Sequence, residues 1–514
     1  MRRWILAFVV LGVVGVGACT LLLPDGLVVK GPILNSILGR GRRAPTDALI
    51  ARRLRPAEGL SVSIFADGIE NARFMRLSPG GSLLVSQPRT GRILLVERDA
   101  DGDGRSDGNR VLVDGLDRPH GLDFRGGHLY VGETGAIARI PYRESGPDTI
   151  EAAGPIERIV EGLPPGGNHW SRTLRFGPDG GLYLHVGSSC NVCEEEDPRR
   201  ATILRFEPDG SGGEIYASGL RNSVGFDWQP GTNDLYATDN GRDLLGDDFP
   251  PCELNRIERG GFYGWPWANG DNRPDPDLGA GHEAEIARAI PPAHGFRAHN
   301  APLGISFVRD PEAPAAYRDA ALVALHGSWN RSELHGYKVV SLHWNPAGDI
   351  EERDFLTGFA EGDDVIGRPV DVIEAGDGRF YVSDDYAGVI YRMAPQSAAE
   401  AARASESGGF FDRFRTGSSD DRTDPLAALP AADRRALASR GASLFDELAC
   451  GTCHVAAQAE AGAVVKPLRE LAGRYTLDAL TAYFLTPQSP MPIFDLPEAD
   501  RRALAVHLLE THGD

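Results

Sequence analysis

A chain of 514 residues with a net charge of −20 has room for two or three domains and carries the wrong sign for a nucleic-acid partner. Its 63 glycines and 36 prolines supply more turns than a helical bundle uses, which points to an all-β main domain.

Residues 4–23, WILAFVVLGVVGVGACTLLL, are uncharged and long enough to cross a bilayer core of about 30 Å. Arg2 and Arg3 ahead of them favour an N-terminus inside and the bulk of the chain outside. The stretch VGAC resembles a lipobox, which would make Cys19 a lipidated mature N-terminus. The apolar run continues to Leu23, as in an uncleaved anchor. Residues 1–24 are thus expected to form a signal or membrane-anchor helix, and residues 25–58 a basic linker. Either outcome exports the remainder to the periplasm, tethered to the inner membrane.

From residue 59 to residue 394 one unit recurs: an apolar strand, a Gly/Pro/Asp turn, a second strand and a third. It is legible in MRLSPGGSLLVSQPRTGRILLVE, GLDFRGGHLYVGETGAIARI and LRFGPDGGLYLHVG. It returns in GFDWQPGTNDLYATDNG, GISFVRDPEAPAAYRDAALVALHG and VDVIEAGDGRFYVSDDYAGVIYRM, with starts near 75, 121, 174, 225, 304 and 370. Strands of period two on either side of a glycine turn, repeated in six units, predict a six-bladed β-propeller closed radially so that few edges remain. A β-sandwich needs fewer such repeats.

Inside this region, DADGDGRSD at 99–107 sets Asp99, Asp101, Asp103, Gly104 and Asp107 in phase with the start of an EF-hand loop. The twelfth position is Arg110 and not glutamate, so the expectation is a weak structural calcium or a plain inter-blade turn. Cys190 and Cys193 suit a small loop-closing disulfide in an oxidising compartment. Asp247, Asp248 and Glu253 are either a second calcium site or a solvated acidic turn.

A propeller carries its ligand where loops converge on the central channel, so loop motifs bear most on function. His169, in GGNHWSRTL, stands in a polar turn just before a strand, where a histidine can project into the funnel. His120, in RPHGLDF, suits either the substrate mouth or packing. With ASGLRNSVGFDW and ELNRIERGGFYGWP, the region resembles the soluble quinoprotein aldose, glucose and sorbosone dehydrogenases, six-bladed propellers that hold pyrroloquinoline quinone (PQQ) and calcium.

That resemblance implies His169 as the base that deprotonates the sugar hydroxyl, and Arg221 with Asn222 (GLRNSVGF) beside the quinone. It implies Arg331 (HGSWNR), Arg368 (GRPVDV) and His326 for the cofactor carboxylates. Main-chain oxygens of Gly241 and Arg242 (TDNGRD) would hold calcium. Where the glucose-oxidising branch has an aspartate that orients the base, this chain has Ser188. Asp197 or Glu194 is the candidate substitute, and a less polarised base the alternative.

After a linker at 395–430, the tail reads helix, C-x-x-C-H, proline-stiffened loop with a methionine, final helix. Cys450 and Cys453 are placed to bind haem vinyls and His454 to ligate the iron. Met491 is the expected sixth ligand, ahead of His507 and His512. Residues 431–514 resemble a class I cytochrome c domain, small and all-α, holding haem c.

Together these features describe a PQQ-dependent dehydrogenase of a sugar or related alcohol or aldehyde. It would discharge two-electron chemistry through a tethered one-electron haem to a cytochrome, cupredoxin or oxidase. The alternatives are a calcium-dependent propeller sugar lactonase or hydrolase, which leaves the haem site unexplained, and a carbohydrate-binding propeller with an electron-transfer cytochrome.

Overall fold

The computed structural model describes residues 44–396, 429–454, 475–484 and 496–512, together with Leu426, Leu468 and Leu471. The expected anchor at 1–24 with Cys19, most of the 395–430 linker, and Met491 lie outside the described residues. Among the described residues no helix is long and apolar enough to cross a membrane. The chain divides into two compact units, one ending at Pro395 and one beginning at Gln396.

The first unit is a six-bladed β-propeller: six sheets of four or five strands, antiparallel but for the pairing of Glu214–Ser218 with Gly261–Phe262, plus two short two-stranded ribbons. The innermost strands are Met75–Leu77, Leu122–Arg125, Leu174–Phe176, Phe226–Trp228, Pro302–Phe307 and Pro369–Gly376 for blades 1 to 6 in chain order. Second strands such as Leu83–Gln87 and Leu182–Val186 are buried at every position. Both faces of such a strand meet a neighbouring blade, so unbroken apolar runs replace the alternation of a half-exposed sheet.

The ring closes on itself. Leu60–Ala66, the first strand of the propeller, pairs antiparallel with Val389–Pro395, the last, with Val62 opposite Met393. Before it, helix Asp47–Arg53 is capped by Thr46, whose hydroxyl accepts from Leu49 N, and sets Ile50 into the core with Val339 and Phe355.

The blades are also clasped at the axis. Residues 76, 123, 175, 227, 306 and 371 sit at matching positions of the innermost strands and read Arg, Asp, Arg, Asp, Ser, Asp. Asp123, Asp227 and Asp371 each accept a main-chain N–H from the next blade: Phe176 N at 2.7 Å, Phe307 N at 2.8 Å and Met75 N at 2.9 Å. Arg76 donates to Asp123, and Arg175 and Arg309 pair with Asp227. These groups surround a cavity of roughly 510 Å³. Buried carboxylates are retained here because every one is matched by donors.

Within the second unit, helices Ala431–Glu447, Gly451–His454, Leu477–Tyr483 and Glu498–Thr511 surround a core of Leu444, Phe445, Leu480, Phe484, Leu504 and Leu508. Glycine at 441 permits a close crossing, since a Cβ there would lie 2.1 Å from Ala503 O. Cys450 and His454 occupy the first turn after the long helix, with His454 N bonded to Cys450 O.

Candidate active site

One end of the propeller axis is ringed by polar side chains placed at the entry to the innermost strands. On the axis itself one side chain from each blade closes the channel: Phe74, His120, Thr173, Val224, Leu303 and Val370. His120 is fully buried, its ring centroid 4.3 Å from that of Phe74 at a 39° tilt, with Nδ1 at 3.2 Å from Thr173 Oγ1. Of its two expected roles, the structure shows packing.

Around this plug the rim begins with His169 from the loop before blade 3. Its Nδ1 lies 3.0 Å from Ser188 O and 2.8 Å from Ser188 Oγ. Among the described residues its Nε2 has no hydrogen-bond partner. Burial, with Arg221, Arg200 and Arg172 nearby, pushes the imidazole down to about 3, against the Ser188 carbonyl that raises it. His169 therefore stands neutral. Asp197 does not reach it; it pairs with Arg199. Gly187 lets His169 and Asn222 converge, for a Cβ there would lie 2.6 Å from His169 Cβ and 2.8 Å from Asn222 Oδ1.

Arg221, from the entry to blade 4, is 4% exposed and differs from expectation. Its Nε donates to Asn191 O, its Nη1 to Asn240 O and Gly241 O, and its Nη2 to Asn191 Oδ1 and Asp243 Oδ2. All the guanidinium N–H groups are thus engaged by protein acceptors, and none is left to meet a quinone oxygen. Arg221 contributes charge and cross-links.

The same bonds bear on the expected calcium. The Gly241 carbonyl accepts from a guanidinium, and the Arg242 side chain turns away onto Asp275 and Asp277. A guanidinium thus already takes one acceptor position of the Gly241 carbonyl. At this turn a cavity of roughly 20 Å³ is lined by Asp239, Glu253, Asn240 and Asn269, and also by Gly241 and the Arg221 and Arg242 side chains that bound it. Burial raises the Asp239 carboxyl, and burial together with the Asp239 charge raises that of Glu253. Asn240 Oδ1 is buried there without a partner among the described residues. Hard oxygen donors around a one-ion space fit a calcium ion. Glu253 is thus separated in role from Asp247 and Asp248, whose turn instead engages Arg331 and Ser332.

Arg331 is accordingly drawn off the rim, onto Asp247 O and Asp248 Oδ1. His326 and Arg368 remain on it. His326 Nε2 is 2.9 Å from Asp385 Oδ1, and Arg368 donates to His326 O and Gly327 O while lying over the Tyr337 ring. Asp385 also accepts from Arg73 at 2.8 Å, and His326 and Arg73 hold its carboxyl far below the usual range despite burial. Arg73 and Arg118 both lie 5.9 Å from the Trp170 ring.

Arg73, Arg118, Trp170, Asp239 and Asp385 were not anticipated from sequence. A signal existed: an arginine precedes the innermost strand in ARFM, RPHG, LRNS and GRPV. The rim fits a polycarboxylate cofactor, because Arg73 Nε is a donor buried without a partner among the described residues, within an arginine-rich ring.

The Asp99, Asp101 and Asp103 carboxylates converge, ligand atoms within 4.8 Å of one another, and Asp99 pairs with Arg392. Cys190 and Cys193 form a disulfide, and Cys252 is buried and free.

Fold and rim together define a six-bladed propeller with a cationic mouth and a buried neutral histidine. The chain belongs to the TrAA12-like family, whose model matches residues 54–250 and 282–396. It is 31% identical over 366 residues to an uncharacterized protein of Borreliella burgdorferi, covering 67% of this chain and 91% of that one. It is 27% identical over 410 residues to the pyrroloquinoline quinone-dependent pyranose dehydrogenase of Coprinopsis cinerea, covering 66% of this chain and 54% of that protein's length. Among solved structures it is similar to the holo form of the PQQ domain of that Coprinopsis enzyme (TM-score 0.56, 23% identity, 66% of this chain, 97% of the other). The calcium structure of Trichoderma reesei family AA12 gives a TM-score of 0.59 at 21% identity, over 70% and 99% of the two chains. These likenesses establish the six-bladed fold.

Proposed function

We propose that this protein is an exported dehydrogenase that oxidises an aldose, a sorbosone-like sugar or a related alcohol or aldehyde with PQQ. Its electrons leave through haem c in the second unit. The observation that carries the reading is His169, a neutral base with an unengaged Nε2 inside an arginine-rich rim. The match to a relative named as a PQQ-dependent pyranose dehydrogenase supports both the quinone and the sugar.

Arg73, Arg368, His326 and Asn222 would hold the cofactor, which when bound supplies a two-electron acceptor for hydride. His169 Nε2 takes the hydroxyl proton of the substrate, and Arg221 keeps the ring neutral until then. Asp239 and Glu253 would hold calcium. In the second unit, Cys450 and Cys453 would attach haem c, and His454 and Met491 would ligate its iron. Export, tethering by the N-terminal segment and delivery to a cytochrome, cupredoxin or oxidase complete the proposal.

The test is reconstitution of the full chain with PQQ and Ca²⁺ followed by a sugar panel. Haem reduction that requires both sugar and quinone supports the reading; sugar-dependent lactone opening without quinone replaces it with a hydrolase.

A further inference from the structure

The loop after strand Leu182–Val186 does two jobs at the rim. A carbonyl oxygen only accepts, so the 3.0 Å contact between His169 Nδ1 and Ser188 O requires a proton on Nδ1. Ser188 Oγ lies 2.8 Å from Cys190 O, again an acceptor, so its one proton points there and its lone pairs face Nδ1. Both neighbours of Nδ1 therefore demand the same tautomer, with Nδ1 protonated and Nε2 carrying the basic lone pair.

The same loop holds Arg221. Ser188 N donates to Arg221 O, while Asn191 O and Oδ1 accept from the guanidinium at 2.9 Å each. The Cys190–Cys193 disulfide closes the loop between these contacts. Ser188 is fully buried, so water does not compete for its hydroxyl.

We infer that Ser188 is the positioning residue of His169, standing where a carboxylate would otherwise orient the base, and that the loop closed by Cys190–Cys193 holds Ser188 and Arg221 in register. This deepens the reading of His169 as base and rests on it. The charged groups facing the ring are Arg221, Arg200 and Arg172, with His185 fully buried behind it. Among the described residues no carboxylate is hydrogen-bonded to the ring. A serine leaves the imidazolium uncompensated, and the base sheds its proton readily; an aspartate at 188 would hold it.

Two measurements on the full-length protein separate this from the functional reading. In 15N-histidine-labelled protein without added cofactor, long-range 15N–1H correlation should show His169 as the Nδ1–H tautomer, neutral down to about pH 4. A ring protonated at Nε2 at neutral pH overturns the proposal, whatever the enzyme does. In Ser188→Asp, the His169 titration and the acid limb of kcat/KM should both move up by at least one pH unit; an unmoved titration overturns it.

Ser188→Ala should lower kcat roughly tenfold with KM little changed, because the Ser188 carbonyl remains as one acceptor, and Ser188→Thr should recover most of the loss. A wild-type protein with the expected tautomer but no quinone-dependent turnover would sink the dehydrogenase reading and leave the Ser188 assignment standing.

Discussion

Arg221 and Gly241 are joined by an Nη1–H to carbonyl bond of 2.9 Å, so a guanidinium stands at the turn where a metal ion was expected. The space between Asp239 and Glu253 holds carboxylates that burial makes unwilling to ionise, and a divalent cation would relieve both. Calcium at about 100 times its dissociation constant should therefore stabilise the fold by ~2.7 kcal/mol. Differential scanning calorimetry of the chelated and Ca²⁺-loaded protein should show the rise in Tm, and Glu253→Gln should abolish it. A rise that survives Glu253→Gln would place the ion elsewhere.

The protonation of His169 has a direction that can be read in two assays. Its folded pKa, about 3, lies below the value near 6.5 of an unfolded histidine. As base it should stay competent down to about pH 4, so kcat/KM should be flat on the acid side to that point. Stability behaves differently. Between about pH 6.5 and 3 the unfolded chain binds a proton that the native ring refuses, so unfolding is favoured as pH falls through that window. His326, pushed down to about 4 by burial and Arg368 and held back by Asp385, acts in the same sense. Buried Asp371 and Asp384, whose carboxyls burial raises to about 7 and about 6, act in the opposite sense, so the test is comparative: from pH 6.5 to 4 the denaturant midpoint of the wild type should fall more, or rise less, than that of His169→Asn.

Cofactor capture should depend on the arginines at the blade entries. Among the described residues Arg368 donates to two main-chain oxygens and lies over the Tyr337 face, leaving three of its five guanidinium N–H groups for a carboxylate. Arg368→Ala should weaken PQQ binding by roughly thirtyfold or more, about 2 kcal/mol for a charge-assisted bond. Fluorescence titration with PQQ checks this. Arg331→Ala, whose guanidinium is held by Asp247 and Asp248, should change PQQ affinity far less.

The clasp at the opposite end of the axis should govern folding. Asp227 is 2% exposed and binds Phe307 N, Trp228 N, Arg309 and Arg175. Asp227→Ala leaves two guanidiniums and two main-chain N–H groups without this acceptor. The expected loss is about 3–5 kcal/mol in urea unfolding, with PQQ affinity of the surviving folded protein little changed.

The repeats announced themselves because turn chemistry and strand period are local. Glycine turns set the hairpins, and the starts near 75, 121, 174, 225, 304 and 370 coincide with the innermost strands. The site was legible only where a residue's role depends on its own loop. His169 and Arg368 reach the rim, whereas Arg331 does not, because the acidic turn that captures it is contributed from residues far away in the chain.

What the sequence determined alone was the number of blades, the C-x-x-C-H turn and the basic side chains at the blade entries, for each is a property of neighbours along the chain. Only the tertiary structure decided that Ser188 contacts the base and that Arg221 closes the Gly241 turn. It alone joined Arg73 to His326 through Asp385, across the junction of the last and first blades. A closed ring brings the two ends of the propeller sequence side by side, and hydrogen bonds read distance in space, which no spacing along the chain encodes.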